Sequence, residues 1–259
     1  MIIANRKFEN YTYVMAIINL TPDSFYAASR NNEYTILKAV EKAQKDGAAV
    51  IDIGAQSTRP NYTEVSANEE ISRFIKPLEL IKCNFDIPVS IDTYFTESAK
   101  AALDCGADMI NDVWGLTHDN DMARTVAEYG ASVCIMHNAQ KPLTGEIFPQ
   151  ITSFLQNSVN VALKAGIDKN KICLDGGIGF AKNREQNFEL LENYEKLHAL
   201  GYPLLLGTSR KSMFGGDVAD RLALTVESTR IAARKKVLFV RVHDVKENAQ
   251  AIKEVYDEN

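Results

Sequence analysis

Apolar runs short enough to be strands, each ending on residues with hydrogen-bonding or charged side chains, recur about eight times along this chain. The clearest is Val50-Ile51-Asp52-Ile53-Gly54-Ala55-Gln56-Ser57-Thr58-Arg59-Pro60, where a carboxylate interrupts the apolar run and a polar, proline-closed cluster ends it. It reads as a buried strand delivering a reactive loop. An ionised Asp between two isoleucines is costly in an apolar interior, so Asp52 must be paired or face a polar cavity.

The other runs follow in order. Val14 to Ile18 leads into Asn19-Leu20-Thr21-Pro22-Asp23-Ser24-Phe25, and Ile87 to Thr93, Asp108 to Val113, Ser132 to Asn138, Ile172 to Asp175 and Pro203 to Gly207 supply the third to seventh strands. Val237 to Val240 passes into Arg241-Val242-His243-Asp244-Val245 as the eighth. Helical signals separate them. Tyr34 to Asp46 carries an apolar stripe and stops at Gly47, a position that favours a left-handed cap. Ser66 and Glu69 have capping-box spacing for a helix that Pro77 should kink or shorten. An alanine-rich helix closes at Gly106, and further helices are expected at 120–129, 184–200 and 219–235, with one more after the last strand. No element is assigned between residues 139 and 171.

Strands alternating with helices imply parallel pairing, and continuous apolar strands imply burial on both faces. Eight such units in 259 residues with 46% hydrophobic content fit a single-domain α/β chain closed as a (β/α)8 TIM barrel. An open doubly wound sheet is the rival, but no strand is followed by G-x-G-x-x-G and no Pro/Gly/Ser-rich linker divides the chain.

The formal net charge is −5 and no block of Lys and Arg stands apart, which argues against a nucleic-acid partner. Cys83, Cys105, Cys134 and Cys173 lie among apolar neighbours without a C-x-x-C pair, as expected of buried thiols in a reducing compartment. The first residues have neither a secretory core nor a membrane-length run, so a cytoplasmic protein without a membrane partner is expected.

In a barrel the C-terminal strand ends share one mouth. Here they supply Asn19, Thr58, Arg59, Asp92, Asn111, Asp175, Lys211, Arg241 and His243. Asp92, Asn111 and Asp175 suit a flat heterocycle with several N–H donors, because a carboxylate accepts two parallel hydrogen bonds. The alternative for any one of them is structural pairing. The cations suit an anion beside strands seven and eight, and Ser209 to Ser212 offers a helix start with free N–H groups, whereas Arg210 and Arg241 could equally form barrel salt bridges. Gly176 to Gly179 reads as a simple tight turn in preference to a phosphate cradle, and Phe25 and Phe180 as aromatic walls or core closures.

With these motifs in place, the chain resembles the dihydropteroate synthases of the pterin-binding barrel family almost end to end. The resemblance is carried by Asn19 to Phe25, Ser57-Thr58-Arg59-Pro60, Ser90-Ile91-Asp92-Thr93, Asn111-Asp112-Val113, Met136-His137, Gly177 to Phe180, Ser209 to Ser212 and Arg241 to Val245. It implies joining p-aminobenzoate to 6-hydroxymethyl-7,8-dihydropterin diphosphate, with Mg2+ as the metal. By the same resemblance Asp92, Asn111, Met136, Asp175, Phe180, Gly207, Lys211 and Arg241 hold the pterin, and Thr58, Arg59, Arg241 and His243 meet the diphosphate. Phe25, Thr58, Pro60 and Ser212 shape the p-aminobenzoate pocket, Asn19 takes the metal, and Lys211, Arg241, His243 and Asp92 are the catalytic set.

The chain departs from the family pattern at Tyr26-Ala27-Ala28-Ser29, where Ser-Asp-Gly-Gly is usual, at Gly176, where proline is usual, and at Gln56, where Glu is common. The family often forms a homodimer, and the resemblance implies one here, but the helix that often forms that face carries bulkier and charged residues at Leu222 to Arg230, which argues against the usual interface. The altered first loop motivates a non-catalytic pterin-binding paralogue as a second reading, and a pterin-dependent methyltransferase on the same barrel is a third.

Overall fold

The computed structural model describes residues 1–20, 30–56, 65–217 and 220–258. All eight apolar runs form strands: β3 (Tyr13–Asn19), β4 (Ala48–Gly54), β5 (Val89–Asp92), β6 (Met109–Asp112), β7 (Ser132–Met136), β8 (Ile172–Asp175), β9 (Leu204–Leu206) and β10 (Phe239–Val242). Each pairs in parallel with the next, and β10 pairs with both β9 and β3, so the sheet closes into a barrel. Parallel neighbours need crossovers. These are helices α1 (Arg30–Lys45), α2 (Ala67–Asn84), α3 (Thr96–Asp104), α4 (Met122–Glu128), α5 (Ile147–Ala165), α6 (Arg184–Glu192) and α7 (Arg221–Arg234), and α8 (Val245–Asp257) follows β10. Among the described residues no helix is long and apolar enough to cross a membrane.

Three helices differ from the sequence expectation. Pro77 does not shorten α2, which runs through it to Asn84. Losing a helical hydrogen bond costs about 3 kcal/mol, whereas Phe74, Leu78 and Ile81, all 0% exposed on the same helix, each contribute roughly 1.5–3 kcal/mol by burial. Residues 184–200 do not form one helix: α6 ends at Glu192 and a 3-10 segment, Tyr194–Leu200, follows. The break lets the buried Tyr194 hydroxyl reach the strand ends. In the unassigned 139–171 stretch, α5 buries Ile147, Ile151, Leu155, Val159 and Ala162 at helical spacing and ends on Gly166 at φ 98°.

A short antiparallel hairpin, β1 (Ile2–Ile3) and β2 (Arg6–Lys7), precedes the barrel. Phe8 packs edge-on against Tyr13 at 5.0 Å and tilts on Phe239 at 5.2 Å, and Ser132 donates to Ile2 O at 2.7 Å. The hairpin therefore covers the floor of the barrel. Only Cys134 and Cys173 are buried, Cys105 is half-buried and Cys83 exposed; all four are free thiols. The sequence expectation of four buried thiols is thus corrected for two of them.

The core has two shells. One lies between sheet and helices. The other fills the barrel floor with Met15, Val50, Met109, Cys134, Cys173, Leu205 and Phe239. Strand side chains alternate between faces, so residues two positions further along point to the same interior. Advancing two residues from this apolar floor gives Ile17, Asp52, Asn111, Met136, Asp175, Gly207 and Arg241, and a second such step from Asp52 on β4 reaches Gly54, which is in register with Asp92. The sequence thus stacks a polar rung on an apolar floor.

Candidate active site

At the centre of that rung stands Arg241. Its Nε donates to Asp52 Oδ2 and its terminal nitrogen to Asp92 Oδ2, both at 2.6 Å. Asp52 is fully buried and Asp92 nearly so. The costly carboxylate of the second strand therefore has its partner. Arg241 does form a barrel salt bridge, yet among the described residues Oδ1 of Asp52 and Oδ1 of Asp92, the two acids beside the guanidinium, are buried without a hydrogen bond. Burial pushes Asp92 up to about 7, against the pull of Arg241, and Asp52, Glu70 and Asp112 add repulsion.

Asn111 lies next to Asp92 in register, is 4% exposed, and makes no side-chain hydrogen bond among the described residues. Asp175 ends β8. Its Oδ1 accepts from the Gly177 N–H at 2.7 Å and lies 3.0 Å from the Tyr194 hydroxyl. Its Oδ2 lies on the side of Gly207, where an added Cβ would stand 3.8 Å from it. Burial raises the Asp175 carboxyl above its ordinary value, opposed chiefly by Lys211.

Gly176 to Gly179 is a turn that closes on Asp175, with Gly177 at φ 71° and Gly179 at φ 84°. An added Cβ at Gly177 would lie 1.9 Å from His137 O, so this position needs glycine for space as well as for conformation. Gly176, at the family's usual proline position, donates its N–H to the Tyr194 hydroxyl at 2.8 Å, a bond proline cannot make. The turn presents Phe180, over whose ring the Lys211 ammonium sits 4.7 Å from the centroid. Lys211 also donates to Ile178 O. Burial lowers Lys211 to about 8, with Asp175 pulling upward. Met136, 3% exposed, packs with Tyr94 and Val113, and half-buried Trp114 and Phe180 join the cluster. Beside it opens a cavity of about 710 Å³ lined by Tyr94, Trp114, His118, Asn138 and Phe154.

His243 follows β10. Its Nδ1 lies 2.9 Å from Ser209 Oγ, and its Nε2 lies 3.3 Å from the Asn19 amide nitrogen. The Asn19 amide oxygen sits over Gly54, where an added Cβ would come within 3.2 Å. Among the described residues no cluster of three or more His, Cys, Asp or Glu could hold a metal alone. A hard cation that takes most of its ligands from substrate phosphates and water fits a single oxygen donor of this kind. Arg210 forms the other salt bridge, with its Nε 3.0 Å and terminal nitrogen 2.5 Å from the two Asp244 oxygens. Ser212 is exposed and starts a single 3-10 turn, Ser212–Phe214, so the expected helix start is absent there and α7 begins only at Arg221. Phe25, Thr58, Arg59 and Pro60 lie outside the described residues.

Several residues that hold this site were not singled out in the sequence as functional. For Asp52 the sequence requires a partner or a polar cavity but gives no role. Tyr194 buttresses Asp175. Lys182 donates to Gly177 O at 2.9 Å and Phe180 O at 3.0 Å, and lies 2.9 Å from His137 Nδ1. Burial lowers Lys182 to about 7, and burial followed by the Lys182 charge lowers His137 to about 3. Arg221 donates to the carbonyls of Arg210, Gly215 and Gly216, fastening the loop that carries Lys211. Such carbonyl clamps leave no spacing signature, because their acceptors are backbone atoms.

A family model described as pterin binding enzyme matches residues 15–243. A dihydropteroate synthase from Clostridium beijerinckii is 46% identical over 248 residues, covering 93% of this chain and 92% of that protein. One from Streptococcus pyogenes serotype M6 is 42% identical over 254 residues, 94% of each chain. Among solved structures, the dihydropteroate synthase from Clostridium difficile in the presence of pteroic acid superposes with a TM-score of 0.94 at 41% identity, covering 98% of both chains. The Yersinia pestis dihydropteroate synthase with a sulfonamide drug superposes with a TM-score of 0.91 at 34% identity, covering 100% of this chain and 98% of that one.

Proposed function

The chain belongs to the pterin binding enzyme family, and from that premise we infer that it acts as a dihydropteroate synthase. It joins the amine of p-aminobenzoate to the exocyclic CH2 of 6-hydroxymethyl-7,8-dihydropterin diphosphate. The new C–N bond forms as the CH2–O bond breaks, the electron pair leaves with diphosphate, and the amine loses a proton to water. The observation that carries the reading is the rung itself: three inward carboxylates, one amide and Arg241 on barrel strand ends, with Lys211 reaching in from the loop after β9 and Met136 and Phe180 as apolar walls.

In this reading Asp92, Asn111 and Asp175 accept hydrogen bonds from the pterin edge, with Gly207 leaving room for the ring. Lys211 and Arg241 complete the pterin pocket. Arg241 and His243, with Thr58 and Arg59, neutralise the diphosphate as charge develops on its bridging oxygen, while buried acids beside the ring stabilise the positive charge shared by the electron-rich pterin. Positioning and electrostatics supply the acceleration. No general base is needed, because an aromatic amine is nucleophilic at neutral pH. Phe25, Thr58, Pro60 and Ser212 border p-aminobenzoate. Asn19 holds Mg2+, which when bound neutralises phosphate oxygens.

A homodimer is part of the same proposal. Leu224, 46% exposed on α7, is an apolar residue that an interface would cover. Light scattering at micromolar concentration tests it. The activity is tested by incubating the protein with both substrates and Mg2+: diphosphate and 7,8-dihydropteroate should form in equal amounts, strictly dependent on p-aminobenzoate. Pterin binding without turnover would instead establish the paralogue.

A further inference from the structure

Arg241 is held from two depths. Asp52 is 0% exposed and pairs in register with Ile17 and Ser90, whereas Asp92 is 8% exposed and pairs with Gly54, two residues nearer the mouth. A ligand descending into the barrel therefore meets Asp92 before Asp52. The two contacts use different nitrogens of Arg241, Nε for Asp52 and a terminal nitrogen for Asp92.

Two acids on one guanidinium make the contacts separable. Removing a single partner from a buried ion pair strands a charge and is strongly unfavourable. With Asp52 in place, Asp92 can release Arg241 to accept hydrogen bonds from an incoming ring, and the guanidinium stays compensated. Without Asp52 the guanidinium has only Asp92, and both of these nitrogens can close on that one carboxylate. The incoming ring then competes with Arg241 for the same oxygens.

We propose that Asp52 is a positioning residue that keeps Arg241 by its Nε while Asp92 exchanges Arg241 for the pterin. The inference rests on the dihydropteroate synthase reading for the identity of the ring. Asp52 touches no substrate. It sets the pivot about which the guanidinium turns toward the ring and the diphosphate.

The test compares wild type with Asp52→Asn. The KM for the pterin diphosphate should rise about tenfold or more, and the KM for p-aminobenzoate should change less than about twofold, within the scatter of neutral substitutions. The acid limb of kcat/KM should move to lower pH. Asp92 is faced by Arg241, Asp52, Glu70 and Asp112, and loss of the Asp52 charge removes one of the repulsions that hold it up. The acid limb moves for any charged neighbour of Asp92, so the KM contrast decides: a merely structural acid would lower the unfolding temperature and leave the two KM values unmoved, which overturns the proposal. If the variant does not fold, nitrogen-15 NMR of wild type decides. The Arg241 Nε–H should exchange slowly with solvent both before and after addition of the pterin diphosphate, while the terminal N–H signals move; faster Nε–H exchange in the complex overturns the pivot. A wild-type protein that binds the pterin without turnover refutes the activity alone, and the same NMR comparison still decides the role of Asp52. Absence of pterin binding overturns both.

Discussion

Ser209 Oγ lies 2.9 Å from His243 Nδ1 and also accepts the backbone N–H of His243 at 3.2 Å. One hydroxyl thus fixes both the ring and the backbone at the end of β10. The geometry links the imidazole tautomer to Asn19. If Nδ1–H donates to Ser209, Nε2 is an acceptor and takes the Asn19 amide N–H at 3.3 Å, so the Asn19 oxygen is turned away from the histidine. If the ring becomes imidazolium beside a diphosphate, Nε2–H is a donor and this Asn19 contact must give way.

Replacing Ser209 with alanine removes that orientation without touching the pterin rung. One neutral hydrogen bond is worth about 0.5–1.5 kcal/mol, so kcat/KM for the pterin diphosphate should fall between about two- and tenfold. Affinity for 6-hydroxymethylpterin, which lacks the diphosphate, should stay at the wild-type level in calorimetry. An equal loss for both ligands contradicts the assignment of His243 to the phosphate side.

Gly207 and Gly177 respond differently to the same added methyl. At Gly207 the one atom within 4 Å among the described residues is Asp175 Oδ2, at 3.8 Å, an ordinary contact, so Gly207→Ala should unfold within about 0.5 kcal/mol of wild type. Its methyl nevertheless occupies the space proposed for the pterin, and binding should weaken at least tenfold, about 1.4 kcal/mol. At Gly177 the Cβ would sit 1.9 Å from a backbone oxygen at φ 71°, so Gly177→Ala should cost several kcal/mol, more than the roughly 1–2 kcal/mol of left-handed backbone alone. Chemical denaturation beside calorimetry separates the two cases.

The strand periodicity made the barrel and most of the rung legible in the chain. Asp92, Asn111, Asp175 and Arg241 each end an apolar run and converge because parallel strands place their C-terminal ends at one rim. Asp52 could be recognised as a buried charge in need of a partner, but its partner lies 189 positions away and only barrel closure brings the two together. The stripe of α5 was present in Ile147, Ile151, Leu155 and Val159 and could have been found by its spacing. The break before Tyr194 could not, because helical propensity is local whereas the hydroxyl's partners, Asp175, Gly176 and Leu205, come from two other strand ends.

Tyr194→Phe tests that buttress. The buried hydroxyl lies 2.5 Å from Leu205 O, 3.0 Å from Asp175 Oδ1 and accepts the Gly176 N–H, so its removal leaves a buried N–H and a carbonyl short of a partner. The expected loss is about 1–3 kcal/mol of stability. Asp175 also loses a fixed contact on Oδ1, so the KM for the pterin diphosphate should rise. If stability falls but that KM does not, Gly177 N–H alone suffices to orient Asp175.

The pH dependence follows from two buried groups of opposite charge. The free enzyme needs Asp92 ionised to accept pterin N–H groups, and burial, opposed by Arg241 and reinforced by Asp52, Glu70 and Asp112, sets its midpoint at about 7. It needs Lys211 protonated, and burial, opposed by Asp175 and Asp92 and reinforced by Arg241, sets that midpoint at about 8. As pH falls through about 7 the acceptor is lost, and as it rises through about 8 the cation is lost, so kcat/KM for the pterin diphosphate should be bell-shaped with its maximum between them. Lys211→Arg keeps a cation that stays charged across this pH range. Even if its activity is lower, its alkaline limb should disappear from the range below pH about 10 while the acid limb stays. A wild-type profile flat from pH 6 to 9, or an alkaline limb that persists in Lys211→Arg, would falsify the assignment of these two limbs.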